Sequence, residues 1–284
     1  MTQEKPVTLD KRTNAFRPDL AASHLRGQVE ATHFADGTFY EVIEPVADVR
    51  RAPSSDAALD TQALHGERVT VYETTEEGWA WGQLESDNYV GWLPANALAT
   101  PGAAPTHKVI VPRTLCFPAA NIKLPPLAAL PMGASVAIAR QVEPFSVTHN
   151  GWHIPAGHIA PLTATYRDHV AVAEMLLGVP YLWGGKTSLG IDCSGLVQVA
   201  LTASGIACPR DSDMQQAALG QPVALEAVRR GDLVFWKGHV AIVRDPRTLI
   251  HANAFHMMVA MEPLGDAVAR IAAAGDNVAA VKRL

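Results

Sequence analysis

The sequence predicts an α+β chain, with small β-barrels first and then a domain in which helices precede a meander of strands. Three observations carry this expectation. From Tyr40 to Leu98, short alternating runs are separated by turn signals. From Arg167 to Ser204, apolar residues recur at helical spacing. After Arg229 the texture returns to short β-branched and aromatic runs, broken by turns such as Asp245-Pro246-Arg247.

A chain of 284 residues suggests about two domains, or three small ones. With 48% hydrophobic and 18% charged residues it can build packed cores, which excludes global disorder. A net charge of −5 without any Lys/Arg-rich run excludes an electrostatic nucleic-acid footprint. The apolar stretches fall short of a bilayer span, so no membrane partner is expected. The stretch from Met1 to Arg17 is polar and has no apolar core of a secretory signal, so a cytoplasmic location is expected, with export by another route as the alternative. Cys116, Cys193 and Cys208 cannot all pair, and no CxxC or Cys/His cluster offers a metal site. Free thiols, no metal, no cofactor and a monomeric chain are the expectation.

Taken in order, residues 1–39 read as a lead-in with little periodicity. Residues 40–100 carry the strands Val46–Val49, Arg68–Thr74, Trp79–Leu84 and Tyr89–Leu93, closed by one helical turn over Pro94–Leu98. A Pro/Gly/Ala linker opens residues 101–164, where Gly151-Trp152 and His158-Ile159-Ala160-Pro161 echo pieces of the first barrel. This stretch reads as a second, divergent barrel or as an irregular connector. In residues 165–284, helices over Arg167–Leu177 and Ser194–Ser204 are followed by strands at Leu233–Trp236, Val240–Val243 and Leu249–His251. Neither the lead-in nor the Ala-rich tail after Pro263 has a functional reading.

Cys193 stands immediately before a helix, where free N–H groups and the positive dipole end favour thiolate over thiol. His239, at the start of a strand, can take the thiol proton, and His251 on the neighbouring strand can orient His239. A Cys at a helix start is also a common structural feature, and most of the 11 histidines must be bland. The residues in between are more informative. Pro180-Tyr181-Leu182-Trp183-Gly184-Gly185, Asp192-Cys193-Ser194-Gly195-Leu196, Arg229-Arg230-Gly231-Asp232-Leu233, His239-Val240-Ala241-Ile242 and Ile250-His251-Ala252 stand in that order. Together they resemble the NlpC/P60 family of papain-like cysteine peptidases over about residues 167–265. Residues 40–100, with Gly66-Glu67, Gly78-Trp79 and Tyr89 to Leu93, resemble a bacterial SH3-like domain.

The resemblance implies roles. Cys193 would be the nucleophile, His239 the general base, His251 the polar third residue, and Tyr181 a hydroxyl near the oxyanion. Asp192 reads as a cap of the helix rather than a catalytic acid. Family members with SH3-like domains ahead of the peptidase cleave the γ-D-glutamyl–diamino acid bond of murein peptides whose L-Ala terminus is free, the diamino acid being meso-diaminopimelate or L-Lys. The candidate substrate-binding set implied here is Trp183, Ser194, Asp211, Ser212 and Tyr89, with Asp211 facing the substrate's ammonium. Plainer readings stand beside these: Trp183 as core, and Asp211 or Ser212 as the cap of a helix over Met214–Leu219. A peptidase that recycles cell-wall peptides is therefore expected. A non-catalytic murein-peptide-binding protein, or an amidase or acyltransferase of the same fold, is the alternative.

Overall fold

The computed structural model of the chain describes residues 9–284. The first eight residues of the expected lead-in, and with them part of the polar N-terminal stretch, lie outside the described residues. Two compact units divide the chain, the first ending at Gly102 and the second running from Ala103 to Leu284.

In the first unit, period-two alternation turns into an antiparallel sheet. Its strands are β1 (Thr38–Val42), β2 (Val46–Arg50), β3 (Leu59–Leu64), β4 (Arg68–Thr74), β5 (Trp79–Leu84), β6 (Val90–Pro94) and β7 (Leu98–Ala99). They lie in the order β3-β2-β6-β5-β4-β1-β7. Val42, Ala47, Val49, Val69, Val71, Ala80 and Leu93 point to one core, as alternation requires. Gly91 lets β6 approach β2, since a Cβ there would lie 2.5 Å from Val49 Cγ1 and 3.1 Å from the Arg50 carbonyl.

Trp81 and Trp92 are cross-strand partners on this sheet, and the stretch read as a lead-in covers them. Ala15, Ala22 and Leu25 are buried against the two indoles. The guanidinium of Arg17 lies 4.3 Å from the Trp81 ring and 4.9 Å from that of Trp92. Glu73 at 2.6 Å and Asp19 at 2.7 Å hold it there. Among the described residues, the strands of this cover, Leu20–Ala22 and His33–Ala35, are three residues long. That is too short to show a period in the sequence.

The second unit opens with short hairpins. His107–Val109 pairs with Ile159–Pro161 and with Ser135–Val136, and Arg113–Cys116 pairs with Ala128–Pro131. A proline, a 3-10 turn and a strand follow one another at Pro155, Ala156–His158 and Ile159. The same succession occurs at Pro94, Ala95–Ala97 and Leu98. Met132 reaches into the core of the helical part that follows.

That part contains α1 (His169–Glu174), α2 (Cys193–Ala203), α3 (Ser212–Ala218) and α4 (Leu264–Ala273). Its six-stranded sheet uses β8 (Gln221–Pro222), β9 (Leu233–Trp236), β10 (His239–Asp245), β11 (Thr248–Asn253), β12 (Met258–Pro263) and β13 (Ala280–Arg283), in the order β8-β13-β9-β10-β11-β12. The central strands are apolar on both faces because both faces are covered. Phe235, Val240, Ile242 and Ile250 share a core with Leu196, Val197 and Ala200 of α2. The alternate residues Trp236, Ala241, Val243 and Leu249 pack with Ala267 of α4. Gly205, at φ +78°, follows the end of α2 in the left-handed conformation suited to glycine. The Ala-rich tail is structural: α4 closes one face and β13 lies inside the sheet. Among the described residues, no helix is long and apolar enough to cross a membrane.

If the N-terminal cover is integral to the first unit, Arg17→Ala should lower that unit's stability by about 1–2 kcal/mol. Hydrogen exchange should then show faster amides at Ala21, Ala22, Trp81 and Trp92. Unchanged protection would mean that the cover contributes nothing.

Candidate active site

The start of α2 is built around one carboxylate. Asp192 is the N-cap, and its Oδ1 accepts the Gly195 N–H at 2.7 Å. Its Oδ2 accepts the Gly184 N–H at 2.8 Å. The guanidinium of Arg210, 1% exposed, forks onto both oxygens at 2.9 and 2.8 Å. It also donates to Ser194 Oγ at 2.9 Å and to the Gly185 carbonyl at 3.3 Å. Gln215 of α3 donates from Nε2 to the Ser194 carbonyl at 2.9 Å. Glycines let these backbones meet. A Cβ on Gly195 would lie 2.3 Å from the Gly185 carbonyl oxygen, and one on Gly185 would lie 2.4 Å from that of Gly190. The Gly-Gly and Cys-Ser-Gly motifs thus reflect close packing as well as chemistry.

Cys193 is the first residue of α2 and is 6% exposed. Burial pushes its thiol up to about 12, and the Asp192 charge adds to this. The Val240 N–H, Arg210 and the Ser194 N–H oppose the shift without reversing it. The expected thiolate is therefore a thiol at rest: desolvation outweighs the helix end.

His239 opens β10 after the turn Lys237-Gly238 and pairs with Trp236, whose ring centroid is 5.6 Å away. Its neighbour Val240 shares a core with Cys193, so thiol and imidazole belong to the same end of β10. His239 Nε2 lies 3.0 Å from His251 Nδ1. His251 Nε2 lies 3.0 Å from Glu262 Oε2. Arg270 donates to Glu262 Oε1 from Nε at 3.0 Å and to Oε2 from Nη2 at 2.7 Å.

This row has a direction. Burial opposes ionisation of Glu262, but Arg270 and then His251 outweigh it and hold the carboxyl below its ordinary value. An ionised carboxylate only accepts, so His251 Nε2 must carry a proton. The neutral His251 ring then offers a lone pair at Nδ1, and His239 donates to it from Nε2. That leaves His239 Nδ1 bare, which is the atom a base needs. Burial pushes His239 down to about 3 and His251 down to about 4, so both rings are neutral at pH 7.

Tyr181 is half-buried, and its backbone N–H is tied to the Met257 carbonyl at 3.0 Å. Burial, then the neighbouring Cys193, raise its phenol, so the hydroxyl stays a donor. The other expected residues divide. Ser194 is 6% exposed with its hydroxyl engaged by Arg210 and Asp192, so it faces the interior rather than a substrate. Trp183 is 64% exposed and is not core. Asp211 stands at the N-cap of α3 but its side chain does not cap, and Ser212 is the first helical residue, both half-buried. Tyr89 is 4% exposed inside the core of the first unit, and its burial leaves little of it for a ligand. Cys116 and Cys208 are buried free thiols. Glu262 and Arg270 were not foreseen. They come from β12 and α4, and only the tertiary fold brings them to His251. Among the described residues, His251, His256 and Glu262 are the group whose donor atoms could hold a metal ion.

Residues 178–269 match the NlpC/P60 family, and residues 49–98 match the bacterial dipeptidyl-peptidase Sh3 domain. A gamma-D-glutamyl-L-lysine dipeptidyl-peptidase of Bacillus subtilis (strain 168) is 30% identical over 208 residues, 66% of this chain and 68% of that protein. The chain belongs to the NlpC/P60 family. Dipeptidyl-peptidase 6 of Lysinibacillus sphaericus is 25% identical over 238 residues, 75% of this chain and 86% of that protein. A crystal structure of an NlpC/P60 family protein from Bacillus cereus ATCC 10987 shares the fold, with a TM-score of 0.73 at 21% identity over 87% of this chain and 99% of that one. The NlpC/P60 fold with an SH3-like domain is thus shown, and family membership supports peptidase activity.

Removing Arg210 strands a buried carboxylate. Arg210→Ala should destabilise the second unit by about 3–5 kcal/mol in urea unfolding, and a loss below 1 kcal/mol would show that Asp192 is held by its backbone donors alone.

Proposed function

We propose that this chain is a cysteine peptidase that hydrolyses the bond between γ-D-glutamate and a diamino acid, meso-diaminopimelate or L-lysine, in short murein peptides with a free N-terminal L-alanine. The observation that carries the chemistry is the directed row His239–His251–Glu262, which leaves His239 Nδ1 bare at the end of β10 nearest Cys193. The name of the Bacillus subtilis relative, a gamma-D-glutamyl-L-lysine dipeptidyl-peptidase, supports the bond assigned.

In this reading the resting pair is thiol and imidazole, and the proton crosses as attack begins. The Cys193 Sγ–H proton passes to His239 Nδ1 while sulfur forms a bond to the γ-carbonyl carbon, and the carbonyl π electrons move onto oxygen. The Tyr181 hydroxyl donates to that oxyanion. Collapse expels the diamino acid's amine, protonated by His239, and leaves a thioester. Water, deprotonated by the same ring, then releases the acid and the thiol. Glu262 anchors the imidazolium that forms, through His251, without taking its proton. Asp211 pairs with the substrate's ammonium and so measures the peptide from its amino end. Recycled soluble peptide in the cytoplasm is the substrate pool proposed.

Cys193→Ala should lower kcat/KM for L-Ala-γ-D-Glu-diamino acid peptides by at least ~10⁴-fold. Failure of the wild-type protein to turn over any such peptide would remove the endopeptidase assignment, while peptide retention without turnover would favour a binding protein. N-acetylation of the peptide, or Asp211→Asn, should raise KM by about 10–100-fold; undiminished cleavage sinks the ammonium role.

The pH dependence has a definite sign. Activity requires neutral His239, whose depressed value keeps it neutral well below the ordinary 6.5, so the acid limb of kcat/KM should lie below that value. Glu262 favours the protonated form of His239. Glu262→Gln should therefore cut kcat by about 10²-fold while moving the acid limb lower still. A limb that moves upward contradicts the assigned row.

A further inference from the structure

His256 takes no part in the proposed reaction, yet it stands at the far end of the catalytic row. It sits in the loop between β11 and β12, half-buried between the exposed Phe255 and Met257. One ring nitrogen of His251, one of His256 and a carboxylate oxygen of Glu262 all lie within 4.8 Å of one another. We propose that these three side chains form an inhibitory site for a zinc-class divalent cation. The proposal rests on the peptidase reading for its effect on activity, but not for the binding itself.

The donor set favours such an ion. Two imidazoles and a carboxylate are a common three-ligand set for zinc, with water as the fourth. Metal–ligand bonds of about 2.0–2.2 Å place tetrahedral ligand atoms roughly 3.3–3.5 Å apart. His251 Nε2 and Glu262 Oε2 are already 3.0 Å apart, with a proton between them that a metal replaces. The third donor then closes the site by a shift of roughly 1.5 Å, within reach of a half-buried loop side chain. Asn253 Oδ1 accepts from His256 N at 2.8 Å and lies 3.0 Å from its Nδ1. It fixes the tautomer, leaving Nε2 for the ion, as outer-shell partners of metal-bound histidines do. Arg270 orients Glu262 through both oxygens. Its charge also opposes a second cation, so binding is reversible and weaker than at a structural metal site.

Occupation reverses the row. Once the ion holds His251 Nε2, that ring carries its proton on Nδ1 and donates it to His239 Nε2. The His239 proton then resides on Nδ1, where the Cys193 proton must go. The two rings keep the same number of protons, both in the wrong places, and the base is blocked while the thiol remains untouched.

Cobalt(II) titration of the Cys193→Ala protein in chelator-free buffer tests the site apart from the thiol and from activity. The expected result is one equivalent bound with the visible d–d bands of a low-coordinate site. These bands should be lost in Cys193→Ala/His256→Ala and in Cys193→Ala/His256→Gln. Bands that persist in both double variants overturn the site. On the active enzyme, zinc should inhibit wild type at a concentration at least tenfold lower than it inhibits His256→Ala or His256→Gln, each relative to its own metal-free rate. Equal sensitivity would place the ion elsewhere, on the Cys193 sulfur for example, and overturn the inhibitory role. If no murein peptide is turned over at all, the peptidase reading fails and the cobalt measurement still decides the site.

Discussion

The second unit depends on the buried carboxylate of Asp192. It caps α2, takes the Gly184 N–H of the turn after Tyr181, and receives the Arg210 fork from the segment leading into α3. Three pieces of chain distant from one another in function are thereby held to one point: the thiol, the phenol, and the Asp211-Ser212 edge. A buried ion pair is a weak device for stability, because desolvation offsets most of the attraction. Its value here is positional. Both oxygens are fully used, and any shift of α2 along its axis would break several bonds at once.

Burial also decides the protonation states. The same desolvation that raises Cys193 lowers His239 and His251, so no ion pair is stored between thiol and base. The charges of the row stand at its outer end, on Glu262 and Arg270. In the proposed reaction, charge separation is deferred until a substrate carbonyl can receive it, and the row is oriented beforehand so that only a proton must move. Preorganised dipoles of this kind act during the reaction without having to reorganise.

Local chemistry was legible in the sequence and tertiary chemistry was not. Cys193 at a helix start and His239 opening a strand follow from short runs whose periods change at those residues. Asp192 as a cap was readable for the same reason. The protonation of the thiol was not, because it depends on how much of the molecule closes over the sulfur. Ser194 shows the same limit, since adjacency to a nucleophile does not say which way a side chain turns. Tyr89 sat in a motif that fits a binding edge equally well as a barrel core, and it lies in the core of the first unit. The cover over Trp81 and Trp92 was invisible, being made of three-residue strands and one arginine between two indoles.

The tail after Pro263 shows how far the site reaches. It appeared as an alanine-rich stretch without chemistry, yet α4 supplies Arg270 and β13 lies beside β9. Arg283 on β13 forks onto Asp232 at 2.9 and 2.7 Å, and Asp232 in turn accepts the Arg229 N–H at the turn that launches β9. The Arg-x-Gly-Asp motif is therefore an anchor for the strand that hairpins into His239. One end of this tail fixes the tautomer of the row through Glu262, and the other fixes the strand before the base. The geometry of the proposed base is held from both sides by residues that touch no substrate.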